Sequence, residues 1–104
     1  MEIKFYNREI EDFIFCLEKP TVAKILRTFD LLEEFGNQLG MPHSKKLYSG
    51  LFELRVRGKQ EVRFIYAFSK KSIIVLAGFI KKSQNIPARW LDLADKRLKS
   101  IDLI

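Results

Sequence analysis

The sequence is short of nearly everything that catalytic cofactors require. It has one cysteine and one histidine in 104 residues. Cys16 alone can form no disulfide framework and no cysteine-based zinc site. It stands in an apolar stretch and is expected to be a packed, inert thiol. No cluster of His, Cys, Asp or Glu has metal-ligand spacing. The five glycines are scattered singly, so no glycine-rich phosphate loop is present. No run of 18 apolar residues occurs, which excludes an apolar membrane-spanning helix. The opening MEIKFYNREIEDF has an acidic second residue and no continuous apolar region, so it does not read as a signal peptide. A reducing, cytoplasmic location is the simplest expectation. Nucleotide hydrolysis at a phosphate loop, metal chemistry and acyl transfer all lack parts. His43, in an expected loop, is read as a surface residue.

What is abundant is positive charge and apolar bulk. Nineteen Lys and Arg face thirteen Asp and Glu, a net charge of +6 with a pI near 9.6. Such an excess on a short chain points to a polyanionic partner. Hydrophobic residues make up 47%, nine of them Phe, enough to build a core without staples. The length fits one domain spanning residues 1–104.

The spacing of apolar residues orders the elements. IKFY, residues 3–6, reads as a short strand. Asn7 can cap a helix through its side-chain oxygen, with Ile10, Phe13, Ile14 and Leu17 at helical spacing. Pro20 stops that helix and Thr21 caps a second, carrying Val22, Ile25, Phe29 and Leu32 on one face until Gly36 or Gly40 ends it. Residues 40–46 read as a loop and Leu47–Ser49 as a strand start. Residues 51–57, 61–68 and 73–80 alternate as strands. Pro87 opens a last helix with Trp90, Ala94, Leu98 and Ile101 on one side, where Trp90 is expected to pack in the core. The order is β-α-α-β-β-β-α. This is an α+β domain in which a helical hairpin packs on a mostly antiparallel, four-stranded sheet.

The stretch GLFELRVRGKQEVRFIYAF, residues 50–68, carries a conflict. A three-residue turn at Gly58, Lys59 and Gln60 keeps the alternation of both strands in phase and sets Arg55 opposite Arg63. A two-residue turn would mix the faces, which the pleat penalises. Like charges directly opposite destabilise a strand pair. Extending the register with Phe68 opposite Ile73 sets Arg63 opposite Gly78, which would leave room for a ligand's backbone. One face then carries Phe52, Leu54, Val56, Val62, Phe64, Tyr66, Phe68, Ile73, Val75, Ala77 and Phe79. The other carries Glu53, Arg55, Arg57, Arg63 and Lys82. An apolar patch of Ile65, Ala67, Ile74 and Leu76 lies behind them for the last helix to cover. Opposed arginines gain when a phosphate sits between them, because guanidinium forks match phosphate oxygens.

One reaction open to a basic site without metal is cleavage of RNA through its own 2′-hydroxyl, whose nucleophile is tethered beside the phosphate. Arginines can stabilise the phosphorane. A lysine crowded by other cations can trade protons. Glu53 is the strand carboxylate placed to act as a base.

Residues 50–66, GLFELRVRGKQEVRFIY, and 73–87, IIVLAGFIKKSQNIP, resemble toxins of the RelE/ParE superfamily, above all the HigB-like branch with its phage-derived relatives. In that branch a Gly-Leu-aromatic-Glu-Leu-Arg strand precedes a strand with Arg and an aromatic, followed by Gly-Phe-x-Lys-Lys and a basic helix. The resemblance implies a RelE-like fold and the toxin of a type II toxin–antitoxin pair. It implies cutting of mRNA on the ribosome, no cofactor, and a helix-turn-helix antitoxin of HigA type as partner. By position Arg55 resembles the basic residue of the central strand, and Arg63 the arginine that stabilises the phosphate. Lys82 resembles the basic residue ending the last strand. With Glu53 these are the expected catalytic residues. Arg57, Lys59, Lys81, Lys45 and Lys46 are the expected RNA-binding set. The branch's histidine before Gly-Phe is Ala77 here, one lysine of its basic run is Asn85, and no tyrosine follows Tyr66. Two other outcomes on the same scaffold are a ParE-like gyrase inhibitor and an inactive relative that only binds its antitoxin.

Overall fold

A computed structural model describes residues 1–102. Leu103 and Ile104, the end of the expected 1–104 domain, lie outside the described residues. The order is β1 (Glu2–Phe5), α1 (Arg8–Phe15), α2 (Lys19–Phe35), a 3-10 turn (Gly36–Gln38), β2 (Ser44–Lys46), β3 (Phe52–Val56), β4 (Val62–Ser69), β5 (Ser72–Ile80) and α3 (Ala88–Asp102).

The strands form one five-stranded mixed sheet, β1-β5-β4-β3-β2. The sheet is mostly antiparallel as expected, but the expected count of four strands is corrected to five and both edges differ. β1 joins as a fifth strand parallel to β5, with Ile3 beside Ile73 and Phe5 beside Val75. The helical hairpin between β1 and the rest supplies the crossover that a parallel pair requires. β2 lies within the expected loop 40–46, and its short pairing to β3 replaces the strand expected at Leu47–Ser49. The outer edge of β1 is partly closed: the Glu33 carboxylate accepts from the Ile3 amide at 3.0 Å, and the Met1 ammonium donates to the Glu33 carbonyl.

Helix boundaries follow local chemistry. Asn7 Oδ1 accepts from the Ile10 amide at 3.2 Å, as an N-cap should. Pro20 sits in the first turn of α2, so that helix begins at Lys19 rather than at a Thr21 cap; Thr21 is buried instead. Gly36 closes α2 with φ of 56°, a value that favours glycine. Cys16 caps the end of α1 and is exposed, contrary to the expected packed thiol.

The sheet has a core on each face. Against α1 and α2 lie Leu54, Val56, Val62, Phe64, Tyr66, Ile73 and Val75, joined by Ile10, Ile14, Ile25, Phe29 and Leu32. Phe64 is its centre, with the Phe29 and Phe13 rings at 5.1 and 6.4 Å. Against α3 lie Ile65, Ala67, Leu76, Ala77 and Phe79 with Ala94, Trp90, Leu98 and Ile101. Trp90 stacks on Phe79 at 5.0 Å, so its expected packing role holds.

One irregularity rearranges the second half of β5. Ile65 faces Ala77 while the next residue, Tyr66, faces Val75, so Leu76 is an extra residue in β5. Such a bulge flips every later side chain. Ala77 and Phe79 therefore move from the expected hairpin face to the α3 face. Arg63 faces Phe79, and Gly78 faces Phe64. A Cβ on Gly78 would lie 2.8 Å from the Phe64 ring and 3.3 Å from Phe13. The glycine makes room for the aromatic core, and it does not line the cavity beside Arg63 as expected. Arg97 donates through Nη1 to the Leu76 carbonyl at 2.7 Å, satisfying the bulge.

Candidate nucleic-acid interface

The hairpin of β3 and β4 places Arg55 directly opposite Arg63, as the alternation requires. Glu53 resolves the conflict. Two residues before Arg55 on the same strand, its side chain shares the arginines' face. Its Oε1 accepts from Arg55 Nε at 2.7 Å, and its Oε2 stands 3.6 Å from Arg63 Nε. One carboxylate thus lies between two cations. Glu53 is 2% exposed, Arg63 3% and Arg55 14%. Arg63 Nη1 donates to Glu61 Oε2 at 3.0 Å and to the Val62 carbonyl at 3.2 Å. Its Nε is buried without a hydrogen bond, held by the ion pair alone. The Arg63 guanidinium is therefore fixed on two sides before any ligand arrives.

Above Arg63 opens a cavity of about 400 Å³, lined by Arg57, Arg63, Lys81 and Lys82, with Glu61, Ser83 and Gln84. Four cations meet one carboxylate. The segment after β5 stays beside the start of β4 because the Lys81 amide donates to the Glu61 carbonyl at 2.8 Å, one step beyond the Val62–Ile80 pair. That bond brings the Lys81-Lys82 pair beside Arg63. Lys82 also lines a neighbouring cleft with Trp90 and Arg89, and the Arg89 guanidinium lies 5.2 Å from the centre of the Trp90 ring.

The expected residues divide accordingly. Arg57, Arg63, Lys81 and Lys82 converge on this cavity. Glu53 lies beside Arg55 and Arg63 and outside the cavity lining. Arg55 lines a different cavity, on the α2 side of β3. Lys45 and Lys46 are exposed on the edge strand β2, and Lys59 is exposed in the turn. None of those three lines the Arg63 cavity. Of the other lining residues, Glu61 was expected with Glu53 to offset part of the arginine repulsion, and its bond to Arg63 does so, whereas Ser83 and Gln84 were not singled out in the sequence. Glu61 had a signal, since the hairpin register places it two residues before Arg63 on the same strand. Ser83 and Gln84 had none, because they follow the last strand.

Comparison with known proteins meets this geometry. A family described as Phage derived protein Gp49-like matches residues 12–99. The chain belongs to that family. It is also 32% identical over 99 residues to a Mycobacterium tuberculosis protein named "Putative toxin HigB3", an alignment covering 86% of this chain and 83% of the relative. The resemblance to HigB-like, phage-derived proteins is thereby borne out. The matched span contains α2, the whole Glu53-Arg55-Arg63 cluster and α3 up to Lys99.

No helix among the described residues is long and apolar enough to cross a membrane.

Proposed function

We propose that this protein is the toxin of a type II toxin–antitoxin pair and acts as a ribosome-dependent mRNA endoribonuclease. The observation that carries the reading is the cavity in which Arg57, Lys81 and Lys82 surround a buried, pre-oriented Arg63. Its charge suits a phosphodiester. The family and the named toxin relative support the same reading.

In this reading the RNA attacks itself. The 2′-oxygen forms a bond to phosphorus as the P–O5′ bond breaks. One proton leaves the 2′-hydroxyl and one reaches the 5′-oxygen. The products carry a 2′,3′-cyclic phosphate and a 5′-hydroxyl, and no metal is required. Arg63 donates to a non-bridging oxygen whose charge grows in the transition state. Its fixed orientation matters because preorganised donors cost no reordering during the reaction. Lys82 exchanges the protons, and Arg57 and Lys81 hold the flanking backbone. Arg55 adds positive potential from β3. Glu53 sets the orientation of both arginines instead of serving as the base, since its oxygens are directed at their Nε groups. Lys45, Lys46 and Lys59 contact ribosomal RNA further out. A helix-turn-helix antitoxin of HigA type covers the basic surface.

The test is a purified translation system with primer extension of the mRNA. New 5′-hydroxyl ends are expected with ribosomes and not without them. Arg63→Ala should lower cleavage by about 10²- to 10³-fold, the usual effect of losing a transition-state donor. Arg63→Lys serves as a variant that keeps the buried charge beside Glu53. Full cleavage by either folded variant would remove Arg63 from the site. DNA damage without mRNA ends would replace the ribonuclease by gyrase inhibition.

A further inference from the structure

A second cavity, of about 350 Å³, lies on the other side of β3. It is formed where α2 passes the end of that strand. Lys24, Arg27, Thr28 and Leu31, at i, i+3, i+4 and i+7, present one face of α2 to it. The opposite wall is Arg55 to Arg57, and Pro42 and His43 close the end. Among the described residues no carboxylate lines it, while four cations do.

The parts are held in place by backbone bonds. The Arg55 amide donates to the His43 carbonyl at 2.7 Å, which fixes the imidazole-bearing loop against β3. Lys24 Nζ donates to the Arg57 carbonyl at 3.1 Å and lies over Gly58, where a Cβ would come within 2.9 Å of it. Arg57 lines both this cavity and the Arg63 cavity. A polyanion seated on Arg63 can therefore continue past Arg57 onto α2 without leaving positive potential. The apolar and ring-bearing walls of Leu31, Pro42 and His43 add something that a plain phosphate site does not need. They offer a flat, partly apolar seat for a base.

We infer that this cavity is a second nucleotide subsite, which takes the nucleotide next to the scissile phosphate of a single-stranded RNA. Its phosphate lies between Arg27 and Arg57, and its base packs against Leu31, Pro42 and His43. The inference rests on the RNA reading given above, but it concerns binding and is tested without cleavage. Single-stranded nucleic acids are commonly held by a cationic track with stacking platforms. An acidic protein segment would match the charge equally well. The shared Arg57 favours RNA, because it makes the two cavities one path for a repeating phosphate chain.

The experiment is fluorescence anisotropy of the whole purified chain with a 2′-O-methyl RNA hexamer, which cannot be cut, over a salt series. Arg27→Ala should weaken binding about tenfold, the size of one charge-assisted hydrogen bond. It should also lower the log–log salt slope by about 0.7, as expected for one lost contact to single-stranded RNA. Lys96→Ala, with the same change in net charge on α3, should do neither. Leu31→Trp, which fills the cavity without altering charge, should weaken binding while leaving the slope unchanged. Equal weakening by Arg27→Ala and Lys96→Ala would overturn the subsite and leave only general electrostatics. Dependence on Arg63 without dependence on Arg27 would also overturn it, with the Arg63 site intact. So would no binding at low salt, or Arg27-dependent capture of polyglutamate with no capture of RNA. Loss of ribosomal cleavage in the earlier test, with Arg27-dependent hexamer binding retained, would reject the ribonuclease and keep the subsite.

Discussion

The two faces of the sheet solve different problems with the same strands. The face under the helical hairpin is apolar along its length, from Phe68 and Ile73 at one end to Val56 and Val62 at the other. The face under α3 is apolar only where Trp90, Ala94 and Leu98 reach it, and ends in Glu53, Arg55 and Arg63. The first is held by shape: Phe64 fits between Phe13 and Phe29 and over a glycine. The charged end of the second is held by one carboxylate between two guanidinium groups. The difference shows how a small protein can place buried cations near its surface. It lets one face carry the packing and keeps the other face free to be costly.

The largest expected effect tests the packed face. Phe64→Ala should cost about 3–5 kcal/mol, the usual range for a buried aromatic truncated to alanine. A domain of this kind has about 5–15 kcal/mol in total, so the variant should be near unfolding. Because the loss is one of packing, urea midpoints of wild type and variant should move together when salt is added. A loss that shrinks strongly in high salt would mean that the two faces are energetically coupled. A second result would sharpen the point. Gly78→Ala alone should destabilise by about 1–3 kcal/mol through overpacking. In the Phe64→Ala background its cost should largely vanish, since the ring it would strike is gone.

How far these faces were legible in the sequence differs along a single strand. The register of β3 on β4 follows from alternation, because only one turn length keeps both strands in phase. Arg55 opposite Arg63 is therefore readable from the letters. So is the cover of Ile65, Ala67, Ile74 and Leu76 by a helix bearing Trp90, Ala94 and Leu98. The bulge at Leu76 is not. It has no Gly or Pro to mark it, and its carbonyl is satisfied by Arg97, 21 residues later. One unseen residue moves Phe79 to the opposite face and turns Gly78 from a ligand's floor into a cradle for Phe64. The candidate site was legible in its cations and illegible in its closure. The bond from Lys81 to Glu61 continues the β4–β5 register by one pair, at a position that the bulge shifts, and the second cavity beside α2 joins segments that no local pattern relates.

The next effect tests the charged end. Glu53→Gln keeps size and one acceptor oxygen but removes the only carboxylate near both Arg55 and Arg63 Nε among the described residues. Breaking a buried ion pair from one side costs about 3–5 kcal/mol because the other charge is left uncompensated. Arg55 is partly solvated and Arg63 keeps Glu61, so about 2–3 kcal/mol is expected here. The informative comparison adds sulfate. An anion that settles on the arginines should raise the melting temperature of Glu53→Gln more than that of wild type. A variant as stable as wild type without sulfate would show that Glu53 does not hold the pair.

The smallest effect concerns the polar exception on the packed face. Tyr66 reaches across β3 so that its hydroxyl meets Ser44 Oγ at 2.6 Å, buried and linking β4 to the edge strand β2. Tyr66→Phe removes that bond and strands a buried serine hydroxyl, an expected cost of about 1 kcal/mol at neutral pH. Burial raises the phenol's pKa above its ordinary 10.0, although the Ser44 bond works the other way. The sign of the pH dependence follows. From about pH 10 the unfolded chain gives up this proton before the native state does, so the unfolded state gains relative to the native state. The contribution of Tyr66 is complete below pH 10 and declines as pH rises toward its native pKa. The stability gap between wild type and Tyr66→Phe, measured by urea at pH 8 and pH 10.5, should therefore narrow, since other titrating groups are common to both chains. A gap that widens would mean that the phenolate is welcomed in the core, and the packed face would then not be the apolar half of the comparison.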